Sequence, residues 1–96
     1  MYARLATFNV GSGMWERMTK AADKAASHYK AQKGFRSVTF LGDDAGGGYG
    51  SFSVWESKED AEAAGEALRP FLQEEVSDII QGPPSVRVFE VYEPEA

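Results

Sequence analysis

The stretch GYGSFSVWESKED, residues 48–60, changes its period halfway along. From Gly48 to Trp55, β-branched and aromatic residues alternate with small polar ones, the pattern of a half-buried strand. Ser57 and Asp60 then satisfy the Ser-x-x-acid pattern of a capping box, in which the serine oxygen accepts a hydrogen bond from the backbone three residues on. A helix should therefore begin at Lys58. Trp55 stands at the junction, as the last core residue of a strand or as the aromatic wall of a pocket.

Working outward, Tyr2–Val10 is short, rich in strand formers and closed by Gly-Ser-Gly, so it reads as a strand. Ser12 is placed to cap the segment that follows, and Glu16 in its first turn suits the helix dipole. Met14, Met18, Ala21, Ala25 and Tyr29 recur at helical spacing with lysines opposite, which predicts an amphipathic helix stopped by Gly34. Arg36–Gly42 predicts a second strand, joined by the flexible GDDAGGG to a third, YGSFSVWES (49–57), as a hairpin. In the second helix Ala61, Ala64, Leu68, Leu72, Val76 and Ile79 keep the period, and Pro70 should kink or restart it. Gly82-Pro83-Pro84 should end that helix, and Ser85–Glu93 alternates as a fourth strand. The order is β-α-β-β-α-β. It predicts an α+β ferredoxin-like plait with a four-stranded antiparallel sheet and two helices on one face. The other face, with apolar residues on both sides of the strand patterns, calls for a cover such as a second copy.

Ninety-six residues suit a single domain spanning 1–96, and 43% hydrophobic with 26% charged residues is a globular composition. The absence of cysteine excludes disulfides, thiolate metal sites and cysteine nucleophiles, and a single histidine, His28, makes a metal site unexpected. No run approaches the ~20 apolar residues of a membrane span, and the N-terminus lacks a leader pattern, so a cytoplasmic protein is expected. The net charge of −5 is uneven. Residues 14–36 carry six basic against two acidic side chains, and residues 56–96 eleven acidic against three basic. No aromatic residues interleave with the lysines, so these are read as solvated helix faces and nucleic-acid binding is not expected. GDDAGGG lacks a Gly-Lys-Ser/Thr ending and opens no helix, which excludes a phosphate-binding loop; adjacent Asp43 and Asp44 do not form a hydrolase pair.

In combination, KGFRSVTFL (33–41), SVWESKEDAEA (53–63) and GPPSVRVFEVYEP (82–94) resemble the antibiotic biosynthesis monooxygenase (ABM) family of dimeric α/β-barrel proteins, and the resemblance spans Tyr2–Pro94. It implies a homodimer paired through sheet faces, with a cavity in each subunit between sheet and helices. It implies oxidation of a small aromatic such as a polyphenol, anthrone or quinol, with neither flavin nor metal. Chemically, a phenol held as its anion can pass an electron to dioxygen, and the protein need only bind, desolvate and deprotonate it. The alternative is a small-molecule-binding or structural dimer without turnover. Haem-degrading members share an asparagine at the end of the first strand, a tryptophan in the second helix and a later histidine. Here Asn9 matches the first, Ala64 stands near the second, and FLQEEVSDII (71–80) holds no histidine, so haem binding or degradation is disfavoured.

Asn9 is the first site candidate. Its amide can orient a phenolate or an oxygen species, or it can bond the following turn. His28 titrates near neutrality and is the natural general base if it faces the cavity, although helical spacing sets it beside the apolar stripe. Tyr29 lies on the stripe, where core packing with a satisfied hydroxyl outweighs catalysis. Trp55 and Trp15 complete the candidate substrate-binding set, Trp55 weighted toward core or interface packing and Trp15 toward the cavity entrance.

Overall fold

The computed structural model of the chain describes residues 1–94. Its elements are β1 (Tyr2–Asn9), α1 (Trp15–Lys30), β2 (Phe35–Asp43), β3 (Gly48–Trp55), α2 (Lys58–Val76) and β4 (Gln81–Glu90). They form one antiparallel sheet in the order β2-β3-β1-β4. This is the plait that the periodicities predict, with β1 and β3 central and the two hairpin-distal strands at the edges.

Strand parity sorts the side chains onto two faces. Tyr2, Arg4, Ala6 and Phe8 of β1 share the helix-covered inner face with Tyr49, Ser51, Ser53 and Trp55 of β3, their direct cross-strand partners. Val38 and Phe40 of β2 and Val86 and Val88 of β4 extend the same rows. Leu5, Leu41, Phe52, Val54 and Phe89 alternate to the outer face, where Leu41 and Phe52 keep 45% and 40% of their surface exposed.

The helices pack onto the inner face through two separate clusters. Tyr29, Trp55, Ala61, Ala64 and Leu68 form one, with Phe35 and Val38 against it. Val10, Met18, Tyr49 and Val76 form the other, with Phe8, Leu72 and Ile79. Trp55, with 0% exposure, anchors the first, and its indole N–H donates to Ser53 Oγ at 2.9 Å.

The helix ends agree with the sequence in part. Asp60 N–H donates to Ser57 Oγ at 3.1 Å, the expected cap of α2, and Gly34 takes φ +80° in the turn after α1. Ser12 is not the cap of α1. Met14 holds that position without a side-chain bond, and the first helical amide, of Trp15, donates instead to Asp44 Oδ1 at 3.0 Å from the β2–β3 loop. Pro70 neither ends nor restarts α2, which runs unbroken through it and forgoes one backbone bond. β4 begins at Gln81, ahead of both prolines, because it is an edge strand with a register shift opposite Thr7–Asn9, where missing amide donors are tolerated.

Candidate functional site

Large side chains fill the two clusters, but the strip between them is built from small ones. Ala6 on β1, Ala22 and Ala25 on α1 and Gly65 on α2 leave a cavity of about 770 Å³ between sheet and helices. That volume lies in the range of small-molecule sites. The wall is mostly apolar, with Phe8, Phe40, Leu72 and Val86 prominent.

Polar groups enter this wall from the sheet, and Thr19, Glu62, Glu66, Arg69 and Glu75 line it from the helices. Tyr29 and Ser51, both lining residues, share a hydrogen bond of 2.6 Å, and the Tyr29 ring meets Phe40 edge-on at 5.8 Å between centroids. Toward the opposite end Tyr49 and the half-exposed Trp15 line the entrance, their rings 6.4 Å apart. Tyr49 donates its hydroxyl to Asp44 Oδ1 at 3.2 Å. Burial first, then the hydrogen bond to Asp44 and after it the charges of Asp44 and Asp43, hold its phenol above the ordinary tyrosine value. Arg4 lines the cavity floor, beside α2. On the rim, Arg17 of α1 pairs with Asp78 and donates to the Glu75 carbonyl at 3.0 Å, and Lys24 pairs with Glu75 at 3.3 Å. The Asp78 carboxyl is held below its usual range by that hydrogen bond from Arg17. These contacts tie α1 to the end of α2.

The five sequence candidates are distributed unequally around this site. Tyr29 and Trp15 line it. Trp55 lies beyond the wall, sealed in the core with its ring centroid 6.2 Å from Tyr29. His28 is exposed on α1 and stacked on Phe71 of α2 at 4.3 Å; Phe71, not the imidazole, lines the cavity. Asn9 has the parity of Leu5 and Thr7 and stands on the outer face, in a shallow depression with Thr7 and Ser85. The fold thus does not bring Asn9 and His28 together. Arg4, Tyr49 and Ser51 escaped the sequence reading. Their signal is parity alone: each shares the face of a residue already identified as inward. Among the described residues, no group of three or more His, Asp or Glu side chains is placed to hold a metal ion. Nor is any helix long and apolar enough to cross a membrane.

No protein-family profile matches the sequence, and no curated protein matches it. Solved structures do match, and they share this fold with the antibiotic biosynthesis monooxygenases. A monooxygenase from the gene ActVA-Orf6 of Streptomyces coelicolor, in complex with Nanaomycin D, is 18% identical with a TM-score of 0.76, over 99% of this chain and 90% of that one. SnoaB, a cofactor-independent oxygenase from Streptomyces nogalater, is 17% identical with a TM-score of 0.73, over 97% and 94%. A point variant of MhuD with two manganese protoporphyrin IX molecules per active site is 19% identical with a TM-score of 0.77, over 100% and 99%. At these identities the likeness defines the fold class, and the chain has the architecture of the ABM proteins.

Proposed function

We propose that the protein is a cofactor-independent monooxygenase of the ABM type, acting on a small aromatic compound of polyphenol, anthrone or quinol character. The observation that carries the reading is the cavity of about 770 Å³, apolar over most of its wall, with the paired hydroxyls of Tyr29 and Ser51 in that wall. The likeness to SnoaB and to the ActVA-Orf6 monooxygenase supports it.

The chemistry needs little from the protein. An anthrone-type methylene reacting with dioxygen gives a carbonyl and one water: one oxygen atom enters the product, and the other leaves with both methylene hydrogens. The substrate supplies all four electrons that dioxygen takes up, so no external reductant enters. The site binds the planar body, excludes water and stabilises the enolate that reacts with oxygen. Tyr29 and Ser51 serve as hydrogen-bond partners of the substrate oxygen, and Trp15 closes the entrance. Asn9 and His28, outside the cavity, take no direct part. The reading includes a homodimer through the apolar outer faces.

The test is dioxygen uptake by the purified protein with anthrone and no added cofactor. Uptake above the uncatalysed rate, reduced about tenfold or more in Tyr29→Phe and Ser51→Ala, is expected, the scale of one lost transition-state hydrogen bond. Uptake no faster than without protein overturns the reading. A second reading, a carrier that holds the compound without turnover, is favoured by one observation. The Tyr29 hydroxyl is already bonded to Ser51, and no imidazole lines the cavity. Tight anthrone binding without uptake would select it.

A further inference from the structure

Among the described residues, Arg4 is the one cation set into the sheet side of the cavity, on the central strand between Ser53 and Val88. An arginine on an otherwise apolar row loses hydration, a cost ordinarily met by a carboxylate. None meets it here. Among the described residues the ion pairs use Arg17, Lys24, Arg36 and Arg69, and no carboxylate lies within pairing distance of the Arg4 guanidinium. Two carboxylates of α2 line the same cavity but are not paired with the guanidinium: Glu66 is held by Arg69 at 2.9 Å, and Glu62, one turn before Gly65, forms no ion pair with Arg4.

The position of the head group is built in. A Cβ added at Gly65 would stand 3.0 Å from Arg4 Nε and 3.1 Å from Nη2, tighter than most such contacts. A glycine in the middle of a helix costs about 0.5–1 kcal/mol relative to alanine. At this site it leaves room for the planar head group to lie against the helix backbone. We propose that Arg4 is an anion subsite, and that the cavity's ligand is an aromatic compound bearing an anionic oxygen, a carboxylate or a phenolate, directed at this guanidinium. The assignment rests on the reading of the cavity as an aromatic-binding site. The apolar middle of the cavity takes the ring system, and the guanidinium fork takes the charged oxygen by charge-assisted hydrogen bonds.

Calorimetric titration with naphthoate and its neutral counterpart naphthamide tests this. The wild-type protein should bind naphthoate about tenfold more tightly or better, the factor expected of one charge-assisted hydrogen bond. Arg4→Gln should keep its naphthamide affinity and lose the preference. Gly65→Ala, which leaves the charge in place but crowds it, should weaken naphthoate more than naphthamide. A parallel absorbance titration of bound naphthol separates the two anions. Ionisation at lower pH in the wild type but not in Arg4→Gln assigns the phenolate, and an unshifted naphthol beside an intact naphthoate preference assigns the carboxylate. Equal affinity of the wild type for acid and amide, with naphthol unshifted, overturns the Arg4 subsite and leaves the cavity reading standing. Binding of none of the three compounds overturns both.

Discussion

Trp55 has no exposed surface, and its neighbours are aromatic on two sides: Tyr29 at 6.2 Å and Phe35 at 5.7 Å between ring centroids. Cutting it to alanine removes a large apolar body from a packed cluster and empties the space it held. Trp55→Ala should therefore cost about 3–5 kcal/mol of stability, read from the midpoint of urea unfolding. A cost under about 1 kcal/mol would mean that the indole does not anchor the cluster. The residue's role was legible because a capping box follows it directly, and a large apolar residue there must pack under the incoming helix. Asn9 was less legible for an equally local reason. Moving one residue along a strand exchanges the faces, so Asn9 and Phe8 are neighbours in sequence and occupy opposite sides of the sheet. Arg4 hid in the same way, until pairing with Ser53 placed it inward.

The elements themselves were read from short-range signals, and they fail where a contact spans the chain. The α2 cap joins residues three apart and was visible. The α1 cap joins Trp15 to Asp44, 29 residues away, and no local pattern marks it. Asp44 thereby couples two elements, since the same oxygen that meets the helix amide accepts from Tyr49. Replacing it with asparagine keeps the shape and removes the charge. In Asp44→Asn the Tyr49 phenol should ionise at lower pH than in the wild type, while burial still holds it above the ordinary value. The measurement is an ultraviolet difference titration of the tyrosines. In the wild type, the stability due to the neutral phenol is complete below the unfolded value of about 10, and is lost as pH climbs through the raised folded value. Asp44→Asn should narrow that alkaline loss. An unchanged titration would mean that the carboxylate does not act on the phenol.

For the whole molecule, the order of elements followed from the alternation between periods of two and of 3.6, and each strand found its expected place in the plait. The cavity followed from the family resemblance and not from those periods, because it arises from where small residues of three elements meet. The outer sheet face poses the complementary question of what covers it. Leu5, Phe52 and Phe89 lie there with one cation, Arg87 opposite Leu5, and no acidic residue on the same positions of β1, β3 or β4, so the centre of this face is apolar enough to meet a second copy. Light scattering should give a mass twice the 10.5 kDa of one chain, and Phe52→Glu should return it to a single chain. A wild-type protein that weighs as one chain at micromolar concentration would exclude the sheet-face dimer.

The two clusters that bracket the cavity never merge into one core. The sheet and the helices span the cavity between them, so the buried side-chain packing is concentrated at its two ends. A compound seated between them supplies contacts that the chain's own side chains leave unmade. On the proposed reading the ligand acts as a removable part of the interior, and the resistance of the fold to unfolding should rise with its concentration.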